Sequence, residues 1–156
     1  MSLLISWWRR HFGSLTWQEV VDTASNPSDI ASAVQRQVRF KADNGPDAWS
    51  TGKETWDRGY GDCEDIAATI GDLCREKGWE SWTQVFGLKG MFVGHAVAMG
   101  RWNGKLWLAN GSSHTTVDSM EEAQRCVAWQ MGWSDVRKVT TTTMDTLGIV
   151  AQNRSN

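Results

Sequence analysis

Arg58-Gly59-Tyr60-Gly61-Asp62-Cys63-Glu64-Asp65, running on into Ile66-Ala67-Ala68-Thr69-Ile70-Gly71-Asp72-Leu73-Cys74, is the stretch from which the rest of the chain can be read outward. Ile66, Ile70, Leu73 and Cys74 recur at helical spacing and predict a helix that opens near Asp62. Gly78 is placed to end it as a C-cap. Two glycines before the cysteine allow a tight approach, so Cys63 falls at a helix N-terminus. There the free N–H groups and the positive end of the helix dipole favour an anion. A thiol so placed, with a His partner, has its pKa lowered from about 8.5 into roughly 3.5–7.5. The same N–H groups can hold the oxyanion of a tetrahedral intermediate. Asp62 and Glu64 would raise the thiol if they faced it, and they are expected to point away.

Downstream of this helix the period changes from helical to alternating. Strands are predicted near 81–88, 92–101 and 105–110, the last two joined by the hairpin signal Asn103-Gly104. His95 opens the run His-Ala-Val-Ala-Met and shares a strand face with Val97 and Met99. From the start of a strand it can reach a neighbouring helix N-terminus, although a satisfied core histidine would look the same. His11 and His114 are the competing imidazoles; the first lies in the N-terminal segment and the second in a predicted polar loop. Asn110 ends the strand paired with that of His95, so its amide can orient the ring, or Asn110-Gly111 can be a plain turn. The order Cys63, His95, Asn110 describes a nucleophile, a base and an orienting group.

Upstream, Thr16 with Glu19 has capping-box spacing and predicts a helix over 17–24. Asn26, Pro27 and Asp29 open a second helix to about Arg39. Residues 42–62 lack a sustained period and read as one long functional loop. Ser119 and Glu122 open a helix over 120–131, and Val136 to Thr143 is β-branched and strand-like. The expected fold class is α+β, with N-terminal helices and the Cys63 helix packed on a small antiparallel sheet. The 156 residues suit a single domain, with 1–25 as a helical extension.

Composition narrows the function. The net charge of −2, from 16 basic and 18 acidic residues, gives no reason to expect a nucleic-acid partner. The N-terminal apolar run is too short for a membrane span and its arginines follow it, so no signal peptide is expected and the setting is read as cytoplasmic or virion-associated. Leu4, Trp8 and His11 or Phe12 share a helical face. That face either packs back on the domain or meets a partner or membrane surface through Trp7 and Trp8. Eleven Trp against one Tyr leaves two destinations open, a core or a cleft. Three cysteines without paired spacing predict neither a disulfide framework nor a zinc site.

The quoted motif, together with Asp47-Ala48-Trp49-Ser50-Thr51-Gly52-Lys53-Glu54-Thr55 and His95-Ala96-Val97, resembles the bacterial transglutaminase-like cysteine peptidases of the papain-like superfamily. The resemblance covers roughly residues 30–112. It implies a papain/transglutaminase-like core and a Cys-His-Asp type triad acting on the amide bonds of a protein or peptide. Cys63 and His95 carry over directly. The third position falls on Asn110 counting from the histidine, or on Ala109 aligning the Leu108-Ala109-Asn110 string with that family's Leu-Asp-Asn. Trp49, Gly61 and Asp62 are implied at the oxyanion and substrate cleft. No cofactor is implied as required. Calcium at Asp62 and Glu64 is an option carried by some relatives, but two carboxylates fall short of about 6–8 oxygen ligands. The expected activity is a cysteine hydrolase working through a thioacyl-enzyme. The alternative is an inactive form of the fold, possibly phage-encoded, that serves as a binding or structural module.

Overall fold

A computed structural model describes residues 14–42, 50–88, 90 and 94–134, with the backbone of 139–144 and 150–151. Three helices come first: α1 (Trp17–Thr23), α2 (Pro27–Gln37) and, after the short strand β1 (Arg39–Phe40), α3 (Gly52–Arg58). Strand β2 (Tyr60–Gly61) leads directly into α4 (Cys63–Glu76). Strands β3 (Glu80–Leu88), β4 (Gly94–Trp102), β5 (Lys105–Asn110) and β6 (Ser113–Val117) follow, then α5 (Met120–Met131), β7 (Val139–Met144) and β8 (Val150–Ala151).

The starts of these helices follow from their caps. Thr16 and Thr51 each accept from the backbone three residues on, and the Glu at that position reaches back to the cap. Asn26 caps α2 with Pro27 at its first position, and Ser119 caps α5. Helix α4 ends where expected: Gly78 has φ +77° and the Trp79 N–H returns to the Cys74 carbonyl at 2.9 Å. The stretch expected as one loop over 42–62 is different in its described part. Residues 52–58 form a two-turn helix, too short to show an apolar period but announced by the Thr51/Glu54 capping box.

The main sheet is antiparallel throughout, in the order β6-β5-β4-β3-β7-β8. Asn103 and Gly104, both with positive φ, make the hairpin between β4 and β5. A second, two-stranded parallel pair joins β1 to β2, so that Arg39 lies opposite Tyr60 and Phe40 opposite Gly61. His114, expected in a loop, sits in β6 with its ring stacked on Trp107 at 5.6 Å.

Alternation along the strands divides the interior in two. Ala96, Ala98, Trp107 and Ala109 face α4 and pack with Ile70, Leu73 and Cys74 and with residues of α1, α2 and α3. Phe86, Val97, Met99 and Leu108 face the other way and pack with Ala123, Val127 and Ala128 of α5. A fully buried Leu or Ile side chain such as Leu73, Leu108 or Ile70 contributes about 1.5–3 kcal/mol. Trp17, Trp56 and Trp107 go into the core. Trp17 meets Trp56 edge to face at 5.8 Å, and Trp129 stands exposed on α5. The helical segment expected to carry Trp7 and Trp8 lies outside the described residues.

Candidate active site

Cys63 is the first residue of α4, and its neighbours hold that helix end rigid. Asp62 is the cap. Its Oδ1 accepts from the Glu64 and Asp65 N–H groups at 3.0 and 3.1 Å, while Asp65 Oδ2 accepts from the Asp62 N–H at 3.3 Å. Arg58 Nη2 donates to the same Asp65 oxygen at 3.2 Å, tying the end of α3 to the start of α4. Gly61 lies under Asp65. A Cβ there would meet the Asp65 Cβ at 2.6 Å and its Oδ2 at 2.8 Å, so only glycine admits this clamp. Gly52 serves likewise at the other end of α3. Its N–H donates to Asp72 Oδ2 at 2.7 Å, and a Cβ would come within 2.8 Å of the Thr69 backbone. Asp72 in turn pairs with Arg75, which donates to the Ser81 carbonyl at 2.7 Å and so anchors α4 to β3. Burial and the Asp62 charge push the Asp65 carboxyl up, against the N–H groups of Asp62 and Ser50 and the Arg58 guanidinium.

The sulfur of Cys63 is half-buried where α4 meets β4. Burial pushes the thiol pKa up; the Ala96 backbone N–H opposes this, Asp62 and Glu64 add to it, and the Glu64 N–H opposes it again. The expected lowering is therefore not the resting condition, and both flanking carboxylates reach the sulfur with their charge. Desolvation outweighs the donors, the Ala96 N–H of β4 and the Glu64 N–H of the helix start. Cys74, on the buried stripe of the same helix, is pushed up to about 12 by burial.

His95 and Asn110 come together from adjacent strands. His95 Nε2 and Asn110 Oδ1 are 2.6 Å apart. A carbonyl oxygen only accepts, so the ring proton belongs on Nε2 and the Nδ1 lone pair is left over. Ala109, the alternative third position, lines the same cavity and is buried in the core with residues of α4, and its methyl group offers the ring no acceptor. Asn110 Nδ2 donates to Gln130 Oε1 of α5 at 3.0 Å, and Gln130 Nε2 donates to Ser113 Oγ at 3.3 Å. Sequence reasoning missed Gln130. It stands on the polar edge of an amphipathic helix, with no local signal that it meets a strand twenty residues away.

Cys63, His95 and Asn110 line one cavity of about 430 Å³ at the end of β4 and β5. Val38, Phe40, Ile66 and Ala67 give it an apolar wall, and Gly111 and Ser112 of the following turn close one side. Phe40 is exposed at its lip. Among the described residues no hydrogen bond joins the sulfur to the ring, which approach from the two sides of the sheet. Gly61 and Asp62, expected at the cleft, are instead occupied in closing the start of α4, and Trp49 lies outside the described residues. No described Trp lines this cavity. Among the described residues no group of three His, Cys, Asp or Glu side chains could hold a metal ion, and the Asp62 carboxylate is turned into its own helix. The three cysteines are free, and no described helix is long and apolar enough to cross a membrane.

The class defined by these observations is an α+β domain in which a thiol at a helix start and an Asn-held imidazole at a sheet end share a cavity. No family model and no curated protein matches the sequence. Among solved structures, the chain is similar to EGTA-treated LapG of Legionella pneumophila, with a TM-score of 0.59 and 13% identity. The match covers 89% of this chain and 80% of LapG. At that identity the likeness is one of fold.

Proposed function

We propose that this protein is a cysteine hydrolase of the transglutaminase-like peptidase kind, acting on amide bonds of a protein or peptide. The observation that carries the reading is the 2.6 Å contact of His95 with Asn110 beside Cys63 in a single cavity. The structural likeness to LapG supports a transglutaminase-like cysteine peptidase fold.

In this reading Asn110 accepts the Nε2 proton and leaves Nδ1 basic. Because burial keeps the resting thiol protonated, Nδ1 removes its proton as the sulfur attacks the carbonyl carbon. The Cys63 N–H, left over after Asp62 has taken those of Glu64 and Asp65, holds the oxyanion. His95 then returns the proton to the leaving nitrogen, the C–N bond breaks, and a thioester remains. Water, deprotonated by His95, releases the acid and the thiol. An amine in place of water would give transamidation. Calcium at Asp62 and Glu64 enters none of these steps.

One observation favours a second reading, a binding module on the same fold: the thiol is raised, with two carboxylates adding to the effect. Alkylation of Cys63 by iodoacetamide across pH separates the two. An imidazole-assisted thiol reacts below pH 8 at a rate that His95→Ala lowers by roughly 10²-fold or more, the usual reach of a positioned base. Only an alkaline limb should then remain, with its midpoint above that of an ordinary thiol. Superimposable profiles for the wild type and His95→Ala would exclude the hydrolase and leave the module.

A further inference from the structure

We propose that Gln130 of α5 is a positioning residue that decides which way round the Asn110 amide sits, and through it which nitrogen of His95 carries the proton. The inference rests on the hydrolase reading for its consequence in rate, but not for its structural content.

A carboxylate beside His95 would accept from the ring with either oxygen. An amide has one accepting end and one donating end of almost the same shape, so shape alone does not choose between them. If the amide turned over, Nδ2 would face the ring, His95 Nε2 would have to accept, and the proton would move to Nδ1. That nitrogen could then take nothing from Cys63. The choice between the two arrangements must come from what the far end of the amide meets. Here it meets Gln130 Oε1 at 3.0 Å, an acceptor that only the Nδ2 end satisfies.

Gln130 is itself held. Its Nε2 donates to Ser113 Oγ at 3.3 Å while its oxygen accepts from Asn110; a hydroxyl can accept or donate, so Ser113 fits this orientation without imposing it. It lies in the last turn of α5, two residues before the left-handed cap Gly132, on a helix anchored by the buried Ala123, Val127 and Ala128. The chain His95–Asn110–Gln130–Ser113 thus spans β4, β5, α5 and β6 with each amide in one orientation. The half-exposed position of Gln130 allows substitution without opening the core.

The test uses the full chain with Gln130→Leu, which offers no acceptor, and Gln130→Glu, which keeps one for Nδ2. Nitrogen-15 NMR of the His95 ring reads the tautomer directly, independently of activity. Gln130→Leu should lose the Nε2–H form as the dominant species, and Gln130→Glu should keep it. In parallel, the rate of Cys63 alkylation below pH 8 and kcat on a cleaved peptide should fall about 5- to 10-fold in Gln130→Leu, the effect of one lost hydrogen bond, with KM unchanged and Gln130→Glu restoring most of it. A wild-type tautomer in Gln130→Leu would overturn the proposal, as would an equal loss in both variants. If the wild type shows no His95-dependent reactivity, the hydrolase reading fails, while the tautomer measurement still decides the role of Gln130.

Discussion

The two faces of the sheet contribute to the cavity in different ways. On the α4 face, the groups that fix the helix start at Cys63 lie within a few residues of it or in the helix just before it: the Asp62 cap, the Asp65 clamp, Arg58 and Gly61. On the α5 face, the orienting chain passes from β4 to β5 to α5, over sequence separations of 15 and 20 residues. The nucleophile is therefore held largely by local structure and the base by tertiary packing. Damage to the core should reach the two halves unequally.

Core truncations give the largest expected effects on stability. Leu73→Ala on the α4 face and Leu108→Ala on the α5 face, both fully buried, should each cost about 2–5 kcal/mol in urea unfolding. Only Leu108→Ala should also disturb the His95 ring resonances, because it loosens the layer that brings Gln130 to Asn110. Equal disturbance by both would mean that the faces are not separable.

Smaller effects sharpen the contrast by pH. Cys74 has a folded pKa near 12, well above its unfolded value, so its contribution is complete below the unfolded thiol pKa and is lost as pH rises toward 12. Wild-type stability should fall by up to about 1.4 kcal/mol per pH unit from this group between roughly pH 9 and 12. Cys74→Ala should be less stable at pH 7 but should show a flatter alkaline slope; an unchanged slope would remove Cys74 as its source. Cys63, also raised, should add to the same alkaline loss.

The smallest expected change is Thr51→Ala, which removes the cap of α3 and should cost about 1 kcal/mol, the usual value for such a cap. Because α3 supplies Arg58 to the Asp65 clamp, the substitution should speed hydrogen exchange at the start of α4 and leave the β4–β5 hairpin unaffected. Faster exchange in both would show that the cap matters to the whole domain.

Much was legible in the residues themselves. The caps at Thr16, Asn26 and Ser119, the stripe Ile66-Ile70-Leu73-Cys74 and the Asn103-Gly104 hairpin are settled by contacts within one or two turns of chain. The α+β class and the place of Cys63 at a helix start follow from them. Helix α3 was also written locally, in Thr51 and Glu54, but two turns are too few to show a period. Strand β6 and the stacking of His114 depend on which strand lies beside it, and no short-range pattern carries that.

What only the tertiary structure decided is how the halves of the site meet. The sequence by itself placed Cys63, His95 and Asn110 at element ends, because hydrogen bonding and side-chain alternation there are short-range. The raised thiol, the direction of the Asn110 amide and the presence of Gln130 behind it depend on desolvation and on partners distant in the chain. Those come into being only when the sheet and its two helical layers close on one another.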